Sequence, residues 1–149
     1  MPVTYDIRST PPLLYVRYLG FVTPDEVRAA FDDYASGPEF RMDRPQYVDL
    51  TRFENTAATY ADIVAIAGML ERACTAQGAT LSIGIHAPGD LGYGLARMFE
   101  SACALRPALR SRVFTDGAAC LAWVSARGDA IRRRPEPAAA PEPEHEPGE

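Results

Sequence analysis

Apolar and polar positions change period several times along the chain, and each change marks an element. Residues 3–7 and 13–19 are two apolar-rich segments separated by Ser9, Thr10 and the Pro11-Pro12 pair, the pattern of two strands joined by a turn and paired antiparallel. Gly20 is expected to end the second. Thr23-Pro24-Asp25-Glu26 then forms a capping box, with threonine as cap, proline at the first helical position and glutamate three residues after the cap. Val27, Ala30, Phe31 and Tyr34 follow at i, i+3, i+4 and i+7, so one stripe of this first helix faces a sheet until Gly37-Pro38 stops it.

Residues 46–50 read as a short strand buried on both faces, with Tyr47, Val48 and Leu50 apolar and Asp49 its one charged member. Residues 59–77 carry Tyr60, Ile63, Ala67, Leu70 and Cys74 on one side and end at Gly78, predicting the longest helix. Leu81, Ile83 and Ile85 alternate with Ser82, Gly84 and His86, a central strand with one bulky face and one small enough for close helix packing. A third helix is expected from Pro88-Gly89 or Asp90 to Pro107, its stripe built from Leu91, Leu95, Met98, Phe99, Ala102 and Leu105. Residues 112–114 predict a last strand. Thr115 or Asp116 caps a final helix, whose Leu121, Trp123 and Val124 fold back onto the sheet.

The order β-β-α-β-α-β-α-β-α predicts an α/β fold with a linear, mostly parallel sheet of four to five strands, an antiparallel N-terminal edge strand and four helices, because right-handed crossovers leave few other topologies. Residues 1–127 form the expected domain. From 128 to 149 apolar periodicity gives way to alternating proline and glutamate, which predicts a disordered acidic tail.

Charge and composition narrow the function. The net charge is −5, and all 15 basic residues are arginine. Lysine Schiff bases and phosphate-loop lysines are thereby excluded, and no basic face for nucleic acid is expected. Cys74, Cys103 and Cys120 show neither CxxC spacing nor a ligand-rich neighbourhood, so they read as reduced thiols without a metal. Residues 1–8 lack the basic start and apolar run of a secretion signal, and no apolar stretch reaches spanning length, so a cytoplasmic protein without membrane insertion is expected.

Three segments carry a family resemblance: Leu13-Leu14-Tyr15-Val16-Arg17-Tyr18-Leu19-Gly20 before a capped helix, Tyr47-Val48-Asp49-Leu50, and Ala87-Pro88-Gly89-Asp90-Leu91-Gly92-Tyr93-Gly94-Leu95-Ala96-Arg97-Met98-Phe99. With the element order, they resemble the STAS-like family of sporulation anti-sigma-factor antagonist-like domains, including its uncharacterised STAS/SEC14-like branch. The resemblance covers about residues 3 to 126 and implies a non-enzymatic regulatory module that docks a protein partner. In the better-known antagonists a serine or threonine opening the helix after the third strand is phosphorylated. Here that segment, residues 49–59, lacks the aspartate-serine pair, and Thr56 and Thr59 are its nearby hydroxyls. A phosphate there adds about −1.5 to −2 charge at a helix N-terminus.

Candidate chemistry gathers at the carboxyl ends of the central strands, where open parallel sheets bind ligands. Asp49 and His86 lie at strand ends, and if those strands are neighbours a hydrogen bond between them would raise the histidine pKa and make an acid-base pair for a hydrolase. A nucleophile is missing, since no GxSxG elbow exists. Gly92, Tyr93 and Arg97 on the third helix suggest a small groove, and Phe53, Tyr60 and Tyr93 an apolar pocket if the second and third helices splay apart. The residues therefore support three roles: a partner-docking module without a cofactor, open to homodimerisation; a carrier of a small apolar or anionic ligand; and an Asp49/His86 hydrolase.

Overall fold

The computed structural model describes residues 2–133. The expected elements are present in the expected order, with two short additions. Strands β1 (Val3–Ser9) and β2 (Pro12–Tyr18) form the antiparallel hairpin. β4 (Gln46–Asp49), β6 (Leu81–His86) and β7 (Leu109–Phe114) join β2 in parallel. The sheet order is β1-β2-β4-β6-β7, so the antiparallel strand is an edge, as the crossover rule requires. The additions are β3 (Gly20–Phe21) and β5 (Phe53–Asn55), which pair with each other beyond the carboxyl edge of the main sheet. Gly20 does not simply end β2. Its φ of +67° turns the chain into β3, a conformation glycine reaches without Cβ strain.

The expected capping box at Thr23 forms, and a second, not expected, forms at Thr59. Thr23 caps α1 (Pro24–Ala35) with Glu26, and Thr59 caps α2 (Tyr60–Gln77) with Asp62. α2 ends at Gly78 in the left-handed region, where its N–H reaches the Cys74 and Thr75 carbonyls. With α3 (Asp90–Cys103), these helices cover the sheet face formed by Leu14, Val16, Val48, Ile83 and Ile85. α4 (Gly117–Arg132) lies alone on the other face, against Leu13, Tyr47, Cys120 and Val124.

Gly84 shows why the α4 face had to be small. A Cβ there would lie 2.6 Å from Val124 Cγ2 and 3.1 Å from Cys120 Sγ, so α4 rests on bare backbone. Its far end does the same: a Cβ on Gly128 would lie 2.1 Å from the Pro12 carbonyl oxygen. This contact, with buried Ile131, carries α4 to Arg132, past the expected domain end at 127. The rest of the expected tail, residues 134–149, lies outside the described residues.

Four expected core positions are corrected, one of them Tyr60, 47% exposed at the start of α2. Leu91 and Leu105 are 63% and 94% exposed, because α3 turns Gly92, Ala96, Ala102 and Cys103 inward and ends before Leu105. Leu121 also faces outward, since α4 buries Cys120, Val124, Gly128 and Ile131 instead. β7 begins at Leu109, three residues before the expected start.

Candidate functional site

The two faces of the sheet offer different chemistry. On the α4 face, register places Tyr15 beside Tyr47 and Arg17 beside Asp49, and places Asp49 in turn beside His86. The expected Asp49–His86 hydrogen bond is not formed, because each group is engaged by a neighbouring tyrosine or loop amide. Asp49 Oδ2 accepts from the Tyr15 hydroxyl at 2.7 Å and Oδ1 accepts from the Thr51 N–H at 2.8 Å. His86 Nδ1 shares a 3.1 Å hydrogen bond with the Tyr47 hydroxyl. Gly117, opening α4, sits so close that a Cβ on it would lie 2.7 Å from His86 Cε1, so the imidazole is covered by the helix.

This network links the ends of β2, β4 and β6 through tyrosine hydroxyls, with no hydrogen bond between Asp49 and His86. Tyr15 and Tyr47 stack at 4.8 Å, and the Arg8 and Arg17 guanidinium groups lie 4.3 and 4.5 Å from the Tyr15 ring centre. Arg17 also pairs with Asp6 at 2.8 Å. Burial is the largest single influence on Asp49 and opposes its ionisation. The hydrogen bonds from Thr51 and Tyr15, with the attraction of His86, outweigh it and hold the carboxyl below the ordinary aspartate value. Burial and the bond to Asp49 push the Tyr15 phenol up to about 12. The nearest thiol, Cys120, is fully buried and pushed up to about 12 by desolvation, which removes it as a nucleophile.

On the opposite face, between the sheet and α1, α2 and α3, lies a cavity of about 130 Å³. Its wall draws Val27 and Phe31 from α1, Ile66 and Met69 from α2, and Leu95 and Phe99 from α3. Val16, Val48, Ile83 and Ile85 form its floor, and Phe53 of β5 stands at the carboxyl edge. No charged side chain lines it. Val16 and Val48 lie on inner strands yet each keeps 9% exposure, and both line this space. A void of this size is close to the roughly 150 Å³ that holds benzene in an engineered apolar cavity.

The expected site residues divide between these places. Asp49 and His86 belong to the α4-face ladder. Thr56 lines the cavity, and its Oγ1 accepts from the Ala58 N–H at 3.1 Å. Thr59 is the α2 cap, its Oγ1 accepting from the Asp62 N–H at 3.2 Å. Gly92 is buried, and a Cβ there would stand 3.5 Å from Leu50 and 3.6 Å from Phe53. Tyr93 and Arg97 do not join it in a groove: Tyr93 is exposed, and Arg97 pairs with Glu100 on the solvent side at 3.4 Å. Of the expected aromatic pocket only Phe53 lines the cavity, while Tyr60 is exposed. Among the described residues, no cluster of three or more metal-ligating side chains occurs.

Tyr18 and Gln46 were missed by sequence reasoning, and both line the cavity. The available signal was the polar Gln46 at the start of an apolar central strand, where it is 8% exposed.

No protein-family model matches the sequence, and no curated protein matches it. Among solved structures, the chain is similar to an uncharacterised protein of the DUF3478 family with a SpoIIAA-like fold from Shewanella loihica PV-4. The TM-score is 0.53 at 13% identity, covering 82% of this chain and 91% of that one. No helix among the described residues is long and apolar enough to cross a membrane. The five-stranded mixed sheet, the four helices and this structural likeness together give the chain the SpoIIAA-like, STAS-type fold that its element order predicts.

Proposed function

We propose that this STAS-type domain holds a small, neutral, largely apolar molecule between its sheet and its three-helix face, and acts by binding it rather than by transforming it. The observation that carries this reading is the uncharged 130 Å³ cavity inside the core. Protein interiors are normally packed to crystal-like density, so an apolar space of this size between the sheet and three helices suits a small apolar ligand. The absence of any charged wall residue favours a neutral ligand over the anionic one that the sequence also allowed. The tyrosine partners of Asp49 and His86, in place of a bond between the two, support a binding role over hydrolysis. Toluene titrated into refolded protein tests it by amide NMR: the shifts should centre on cavity residues and vanish in Val48→Phe, whose ring fills the space. Shifts spread over the surface, or unaffected by Val48→Phe, would refute it.

A second reading, docking of a protein partner, is favoured by a separate observation. Phe21, Tyr60, Leu91 and Tyr93 are all at least 40% exposed, on elements that begin or end at the carboxyl edge of the sheet. Photocrosslinking from position 91 in living cells should recover one specific protein under this reading, and a smear of abundant proteins would count against it.

A further inference from the structure

We infer that Tyr18 is the polar anchor of the cavity, and that the ligand class is a neutral, mostly apolar molecule carrying one hydroxyl or carbonyl oxygen. This rests on the binding reading above and deepens it. The wall contains five hydroxyl side chains, and four are already engaged. Tyr5 donates to Asp33, and Tyr34 donates to the Arg41 carbonyl. Thr23 exchanges hydrogen bonds with Glu26, and Thr56 accepts from the Ala58 N–H. Tyr18 alone among them makes no side-chain hydrogen bond among the described residues, although it points to the same sheet face as Leu14 and Val16.

Tyr18 is half-buried, packed against the main core from the cavity wall. Desolvation is the sole cause that pushes its phenol up to about 12, with no charged neighbour contributing. Its hydroxyl has no protein partner among the described residues, so a ligand oxygen entering the cavity gains a hydrogen bond there without displacing one already made.

A trapped water is a poorer partner. Water in a cavity needs two to four polar contacts. The only other unengaged polar side chain on the wall is Gln46, whose amide makes no hydrogen bond among the described residues. Gln46 pairs in register with Leu14, four residues before Tyr18, so the two α-carbons are about 13 Å apart along the strand direction. A water on Tyr18 would not also bridge to the Gln46 amide, whereas a ligand gains the bond and buries its apolar remainder in the same space. Because a phenol both donates and accepts, an alcohol and a ketone fit equally, and the uncharged wall disfavours a carboxylate.

The test compares benzyl alcohol with ethylbenzene, which match in shape and differ by OH for CH3, on wild type and on Tyr18→Phe. This variant should fold at least as stably as wild type, because it removes a hydroxyl that has no partner. Absolute preference is uninformative, since water itself holds the alcohol more strongly; the coupling between oxygen and hydroxyl is the readout. Tyr18→Phe should weaken benzyl alcohol about five- to tenfold and leave ethylbenzene unchanged or slightly tighter. Equal weakening of both, or of neither, would overturn the anchor while leaving the apolar binding reading intact. Failure of wild type to bind either molecule would overturn both.

Discussion

Replacing Val16 and Val48 together by isoleucine should stabilise the ligand-free protein. Both valines line the cavity floor, so each added methyl group enters space the wall leaves open. β-branching is retained, so strand propensity and χ1 preference stay the same. Burying a methylene group contributes about 0.8 kcal/mol, giving an upper figure of about 1.5 kcal/mol for the pair. The whole cavity, at about 24 cal/mol per Å³, represents about 3 kcal/mol, so the gain fits within what the void costs. Urea unfolding of refolded protein, from which any co-purified ligand has been removed, measures the effect as a higher midpoint at unchanged slope. A tightly packed core responds in the opposite sense, losing about 1–3 kcal/mol to overpacking. A midpoint equal to or below wild type would refute the existence of usable space behind these strands. The same substitutions should weaken toluene binding, which links the stability gain to the site.

Gly84→Ala should cost about 1–3 kcal/mol in urea unfolding, because its methyl group meets Val124 at 2.6 Å, whereas Gly94→Ala, with nothing within 4 Å, should gain up to about 1 kcal/mol from helix propensity; equal effects would refute the close seating of α4 on β6. Asp49→Asn should lower stability at neutral pH by about 1 kcal/mol, a figure discounted for the partial exposure of the carboxylate. The folded carboxyl titrates below its ordinary value of 3.8, so its contribution is present above that value and is lost as pH falls through the folded one. The two proteins should therefore converge in acid, and a constant difference down to pH 2 or so would contradict the assignment. The buried thiols of Cys74 and Cys103, pushed up to about 11, and that of Cys120 should resist a thiol reagent in the native protein and react on unfolding; rapid native labelling would contradict their burial.

Much of the fold is legible in the sequence because its signals are periodic. The Thr23 capping box, the αL glycine after α2 and the alternation at residues 81–86 each depend on local chemistry that the tertiary structure leaves in place. β3 and β5 escaped because strands of two and three residues have no measurable period. Leu91 and Leu105 fit the helical spacing, yet close packing of Gly92 on Leu50 and Phe53 rotates another stripe inward. The last turns of α4 were hidden by their arginines, since Gly128 and Ile131 alone make the contacts there.

The candidate site was legible only in part. The sequence puts Asp49 and His86 at strand ends, but their adjacency and their tyrosine partners come from the register of β2, β4 and β6, which local sequence does not pair. The cavity could not be read at all, because it arises from how far three helices stand from the sheet. Tyr18 and Gln46 acquire meaning only once that space is known.

Native mass spectrometry of the protein recovered gently from its own cells tests the central claim most directly. The account predicts a ligand-bound species whose excess mass is lost on mild activation, and whose released molecule is neutral, largely apolar and oxygen-bearing. A protein that carries no such molecule, and whose mass is unchanged after incubation with benzyl alcohol, would contradict it.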